Sequence, residues 1–271
     1  MADEPPQSRE FPLSGAKAYD EPSVFSPDSL LAEARRQKGL PEESVPDICV
    51  LDPDGDIVRY LRETGQATRL PSWPGYHTTL FQFERNGTTL GIIGCAVGAS
   101  FAVLVAEQLF AAGCEFLVSI TSSGQIEPRD DPPYFVLIER ALRDEGTSYH
   151  YRHPERYAHL DSGLQEAVIS ASERVSQPVY AGATWTTDAP FRETETAIEH
   201  ARSENILAVE MEAAALYTFA TVRNQPVVCF AHVTNQMGQV EEDFEKGDAA
   251  GSKAALEVVD ASIEGWDTQP G

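Results

Sequence analysis

Val209-Glu210-Met211-Glu212-Ala213-Ala214-Ala215-Leu216 joins a short apolar run to a helical pattern. The residues before Glu210 read as the end of a strand. From Glu210 to Val222 apolar residues recur at helical spacing, with Leu216, Phe219 and Ala220 on a common side. Carboxylates at a helix start are favoured by the helix dipole. A carboxylate also accepts two hydrogen bonds side by side, which suits vicinal hydroxyls such as the 2′- and 3′-hydroxyls of a ribose. Met211 between them offers an adaptable apolar surface for a sugar face. An acidic first turn is equally an ordinary helix device, so this stretch alone leaves both readings open.

Working outward, short apolar runs bounded by turn residues predict strands at Ile48–Leu51, Thr78–Phe83, Leu90–Gly94, Phe116–Thr121, Phe135–Ile138, Val179–Trp185 and Val227–Val233. Helical patterns lie between several of them. Ser26 suits an N-cap, Pro27 the first helical position and Gly39 the exit of one helix. Ser100–Ala112 is closed by Gly113, and Ala249–Ile263 reads as a C-terminal helix. Alternating strands and helices predict an α/β sandwich around a parallel or mixed sheet. No internal repeat or linker divides residues 26–271, which read as a single domain. Residues 1–25, rich in Pro, Ser and charge, read as an irregular arm.

Composition narrows the function classes. Twenty basic residues against 43 acidic ones give a net charge of −23, a field that repels polyanions and argues against DNA or RNA as a partner. No window is apolar and long enough to span a membrane, and the N-terminus lacks the pattern of a signal peptide, so a cytoplasmic protein is expected. Cys49, Cys95, Cys114 and Cys229 form no C-x-x-C pair and read as buried free thiols of a reducing compartment.

In open α/β sheets ligands settle at the carboxyl edge of the strands, and several segments there carry chemistry. Gly91–Ser100 is a strand, a small-residue turn around Gly98 and a helix start, which fits either close ligand approach or an ordinary tight turn. Ser119–Gln125 places Ser122, Ser123 and Gly124 at a strand end, a donor-rich pocket or a turn that satisfies itself. Thr184–Thr194 offers Trp185 or Phe191 to stack on a planar base and Asp188 and Arg192 to bond its edge. The same loop also reads as a connection to a helix capped at Thr194. Arg143–Tyr151 mixes charge, hydroxyl and aromatic groups. His150, His153 and His159 have no compact metal-ligand spacing, so no metal is expected.

Together these segments resemble the nucleoside phosphorylase family, which includes hexameric purine nucleoside phosphorylase, uridine phosphorylase and related hydrolytic nucleosidases. The resemblance runs from about Asp47 to Ile263 and is most specific at Glu210-Met211-Glu212-Ala213-Ala214. It implies a three-layer α/β/α sandwich around a mixed, barrel-like sheet, and a homo-oligomer, dimer to hexamer, with sites completed across an interface. It implies ribose binding by Met211 and Glu212 with Glu210 beside them, and a phosphate contact at Ser122. Phe191 falls in the base-binding loop, and Tyr157 in a region that covers the base. The ligands implied are a nucleoside and inorganic phosphate as co-substrate, with no cofactor.

Four departures qualify the resemblance. The family's phosphate-binding arginine in a G-D-P-x-R segment is replaced by Ile57 in Pro53-Asp54-Gly55-Asp56-Ile57. A second arginine is replaced by Ser119, and a third, lent by a neighbouring subunit, falls near Tyr76 and His77. Arg69, Arg129 and Arg192 are the candidates to substitute for them. Asn235 stands where purine-specific members carry an acid-donating aspartate; it donates a hydrogen bond but no proton. Three readings follow: a phosphorylase with a rearranged anion site, a hydrolytic nucleosidase in which Asp188, Glu145 or His150 positions water, or a binding protein that retains the ribose pocket.

Overall fold

Helix α1 (Pro27–Lys38) begins and ends where its caps predict in the computed structural model, which describes residues 17–236 and 246–269 together with Leu13 and Gly15. The Ser26 hydroxyl accepts from the Ser29 N–H at 3.2 Å, and Gly39 leaves the helix at φ +64°, the left-handed conformation that glycine adopts without strain. The expected arm at 1–25 lies for the most part outside the described residues. Residues 17–25 form no helix or strand, and Tyr19 packs its ring 4.3 Å from that of His153.

The remaining elements follow as β1 (Ile48–Asp52), α2 (Asp56–Glu63), β2 (Ala67–Arg69), β3 (Leu80–Arg85), β4 (Thr88–Gly94) and α3 (Ala99–Ala111). Then come β5 (Phe116–Gln125), β6 (Tyr134–Asp144), β7 (Tyr157–His159), α4 (Ser162–Ala171), β8 (Val179–Thr187) and α5 (Glu195–Ser203). The chain closes with β9 (Ile206–Glu210), α6 (Ala213–Arg223), β10 (Val227–Asn235) and α7 (Ser252–Asp267). The C-terminal helix starts later than its apolar pattern suggests. Ala249, Ala250 and Gly251 all have left-handed φ, which no helix interior accommodates, so the first helical residue is Ser252. Strands β2 and β7, of three residues each, and helices α2 and α4 escape the sequence reading. The start of α2 is moreover capped from upstream, by the Asp52 carboxylate accepting from Gly55 and Val58 N–H.

One mixed sheet holds all ten strands of the described residues, in the order β10-β6-β8-β9-β5-β1-β4-β3-β2, with β7 beside β6. Because β10 also pairs with β5, strands β5, β10, β6, β8 and β9 close into a barrel. Strand β5 is the shared staple: it runs parallel to β1 from Phe116 to Ser119, parallel to β10 from Leu117 onward, and antiparallel to β9 at Gly124 and Gln125. Helices α1, α3 and α6 pack in series, as do α2, α7 and α4, giving the three-layer α/β/α sandwich around a mixed, barrel-like sheet. Seven consecutive residues of α6, Ala213–Phe219, are buried, so this helix is enclosed on all sides rather than along one stripe.

From inside α6, Tyr217 stitches the barrel where the β6–β10 ladder ends. Its hydroxyl donates to the Ile138 carbonyl at 2.6 Å and accepts from the Cys229 N–H at 3.0 Å. Tyr217→Phe leaves both backbone groups buried without a partner, at a cost of about 1–3 kcal/mol. Urea titration should show a lower midpoint with an unchanged slope; an unchanged midpoint would mean that the hydroxyl carries no part of barrel closure.

Candidate active site

Where β9 becomes α6, the chain is held by its own carboxylate. Glu210 pairs with Thr186 of β8 and is buried. One of its oxygens accepts from the hydroxyls of Thr184 and Thr186, at 3.1 and 2.5 Å. The other accepts from the N–H groups of Glu212 and Ala213, both at 2.7 Å. Thr186 in turn accepts from the Ala214 N–H. The first amides of α6 are thus satisfied, and Glu210 is engaged as the cap of the helix. Burial pushes its carboxyl above the usual range while the four donors pull it back.

Glu212 is the N-cap residue of α6 and its side chain turns across to the start of α3. It is 1% exposed, and its Oε1 accepts from the Gly98 N–H at 2.7 Å. Gly98 sits at φ +93°, so the sharp exit from β4 requires glycine there. Met211, half-buried, lies between the two glutamates. Burial raises the Glu212 carboxyl from its ordinary 4.5 to about 8, with the Glu210 charge adding to the rise; the Gly98 N–H and the Thr121 hydroxyl oppose it.

A second cluster forms at the ends of β1 and β5. The carboxylate of Asp54 accepts from the Ser122 N–H at 2.8 Å and from the Ser122 hydroxyl. Lys246 Nζ donates to Asp56 Oδ2 at 2.6 Å and to Ser122 Oγ at 3.0 Å, and lies 3.8 Å from Asp54 Oδ2. Asp52, Asp54, Asp56, Ser122, His232 and Lys246 line a cavity of about 20 Å³. Burial pushes Asp52 up to about 7 and His232 down to about 4, so the imidazole stays neutral at pH 7; it stacks on Phe135 at 4.2 Å. Asp54 raises the Glu212 carboxyl electrostatically, which couples the two clusters.

Of the residues singled out from the sequence, Glu210, Met211, Glu212 and Gly98 meet at the first cluster. Ser122, Ser123 and Gly124 lie along β5 beside β10, whose Asn235 pairs with Gly124 across a bulge. The Ser123 hydroxyl is buried with no hydrogen-bond partner among the described residues. Asn235 Nδ2 reaches the Ser123 carbonyl at 3.4 Å.

Four others sit apart from these contacts. Asp188, exposed, accepts from the Gly146 N–H at 2.7 Å and braces two loops. Phe191 is 99% exposed and Arg192 is exposed beside it. Tyr157 donates to Glu204 while Arg140 lies 4.8 Å over its ring.

Three expectations need correction. Trp185 is a core residue, 2.9 Å from Asp144 through its indole N–H, because its position on β8 faces inward. Cys95 is an exposed thiol, since it occupies the turn after β4 at φ +62°. Glu145 caps the following turn through Thr147 and Ser148 N–H, and buried Arg143 bonds Ser148 and the His153 carbonyl, so that segment largely satisfies itself. Asp54 and Lys246 were not legible as site residues; Lys246 has no motif around it and reaches Ser122 only through the fold. Arg69, Arg129 and Arg192 are exposed, and the cation beside Ser122 is Lys246.

The Glu212 proton has a measurable consequence. The folded protein holds it to about 8, whereas an unfolded chain releases it near 4.5. The folded state therefore binds more protons between these values, and stability falls as pH rises through that window. Glu212→Gln removes the titration, so the decline in denaturation midpoint between pH 4.5 and about 8 should be shallower than in the wild type. An equal slope would assign the proton elsewhere.

Comparison with known proteins agrees with the geometry. Residues 47–264 match the phosphorylase superfamily. Uridine phosphorylase of Thermococcus kodakarensis is 25% identical over 244 residues, 79% of this chain and 86% of that protein. Guanosine phosphorylase of Halorubrum lacusprofundi is 27% identical over 135 residues, 50% of this chain and 56% of that one. Two crystal structures of uridine phosphorylase from Vibrio fischeri ES114 superpose with a TM-score of 0.69 at 19% and 21% identity. They cover 83% and 85% of this chain and 93% and 95% of theirs, and share its fold. With the match spanning every strand from β1 to β10, the chain belongs to the phosphorylase superfamily.

Proposed function

We propose that the protein cleaves the N-glycosidic bond of a nucleoside with inorganic phosphate, releasing the base and ribose 1-phosphate. The observation that carries this reading is the buried Glu212 carboxyl, tied to Gly98 and coupled through Asp54 to the donors of Ser122 and Lys246. The relatives named as uridine and guanosine phosphorylases support it.

In the reaction a phosphate oxygen bonds to the anomeric carbon as the carbon–nitrogen bond breaks, and the bonding pair leaves with the base. Positive charge grows on the sugar and negative charge on the base. A carboxylate near the first and a donor near the second lower the barrier. Glu212 anchors and polarises the vicinal ribose hydroxyls, and Met211 lies under the sugar. Asn235 donates to the base, with Phe191 and Arg192 on the loop that covers it and Tyr157 at its margin. Ser122, Ser123 and Gly124 hold the acceptor, and Gly98 fixes Glu212. Asp188 holds the base loop against Gly146. A homo-oligomer is the natural setting for a site with so exposed a Phe191.

Hydrolysis is the second reading, favoured by Ile57 and Ser119: both are buried core positions, so no guanidinium reaches the acceptor from either.

Incubation with a panel of purine and pyrimidine nucleosides, with and without phosphate, should give ribose 1-phosphate only when phosphate is present. Free base with plain ribose in both arms would establish hydrolysis. Nucleoside binding without release would establish a binding protein. In every case Glu212→Gln should weaken nucleoside affinity by about tenfold or more, because an amide NH2 facing a ribose hydroxyl cannot accept its hydrogen bond; unchanged affinity would remove Glu212 from the ribose site.

A further inference from the structure

The end of β5 brings several hydrogen-bond donors together. Ser122 contributes its N–H and its hydroxyl, and Lys246 contributes an ammonium 3.0 Å from that hydroxyl. Such a set, a backbone N–H, an O–H and a cation within reach of one another, fits the oxygens of a tetrahedral anion. Here it is satisfied by the chain's own carboxylates. Asp54 takes both Ser122 donors, and Asp56 takes the ammonium at 2.6 Å. The adjoining cavity of about 20 Å³ accommodates a water and nothing larger. An anion reaches these donors only by displacing Asp54.

Burial and charge argue against Lys246 as a mere strut. Its side chain is 25% exposed, and an ammonium on a flexible four-carbon stem can follow a ligand. Asp56 is only 14% exposed, so the pair is partly desolvated, and a cation beside an otherwise acidic rim in a chain of net charge −23 changes sharply what that rim can bind. The buried Ile57 and Ser119 contribute no charge.

We propose that Lys246 is the cation that binds the acceptor phosphate, moving from Asp56 onto the anion as phosphate displaces Asp54 from Ser122. This rests on the reading that phosphate is the acceptor.

The test varies inorganic phosphate at saturating nucleoside for the wild type, Lys246→Gln and Lys246→Arg. Calorimetric titration of each protein with phosphate alone and a thermal melt accompany it. Lys246→Gln should raise the phosphate KM and the phosphate dissociation constant about tenfold or more, with the nucleoside KM within about twofold. Lys246→Arg, which keeps the charge, should recover most of the phosphate affinity. A phosphate-dependent wild type with an unchanged phosphate KM in Lys246→Gln would overturn the assignment alone, as would a lowered melting temperature with unchanged phosphate binding. A wild type that neither binds phosphate nor depends on it would overturn the phosphorolysis reading, and the role of Lys246 with it.

Discussion

The junction between β9 and α6 depends on one carboxylate accepting four hydrogen bonds out of water. Glu210 joins two threonines of β8 to the first amides of α6, so a strand of the closed barrel, its neighbour and the central helix share a single acceptor. Hydrogen bonds to an ionised group are shorter and stronger than neutral ones, and a buried carboxylate is tolerated only when its lone pairs are taken up. This geometry sets the direction in which α6 leaves the sheet. It thereby sets where Glu212, two residues on, projects.

Glu212 inherits that position and couples it to a second element. Its bond to Gly98 ties the start of α6 to the start of α3, so two helix starts approach the same carboxyl. Burial beside Glu210 keeps a proton on Glu212 at neutral pH, and Asp54 contributes to that shift from the neighbouring cluster. The junction therefore holds two acidic side chains close together and out of solvent. The proposed ribose hydroxyls would add to the donors that Gly98 and Met211 already give this carboxyl, while a free anion is repelled unless a cation accompanies it.

That requirement makes the two anomalous positions intelligible. Ile57 packs on the inner face of α2 and Ser119 pairs with Leu51 and Cys229 inside the sheet. A guanidinium at either would have to be paired to remain there. The chain instead brings Lys246 to Ser122 from beyond β10, where Asp56 pairs with its ammonium. The same strand ends thus carry a different charge arrangement on an unchanged scaffold.

Local chemistry made much of this readable from the sequence. The caps Ser26, Gly39 and Thr194 act within a few residues of themselves, and the apolar runs of β1, β4, β5 and β10 need only their own unbroken apolar character and length. The stretch Glu210-Met211-Glu212 likewise declares a strand-to-helix junction without knowledge of its neighbours. The tertiary structure decided what depends on distant partners. Ser122 meets Asp54 across 68 residues and Lys246 across 124. Trp185 entered the core, Phe191 was left in water, and Glu210 was spent on the helix start rather than held open. These outcomes follow from barrel closure, which fixes which strand faces pack inward and which loop ends meet. No periodicity along one segment carries that information, because the energies that decide it belong to pairs of residues far apart in the chain.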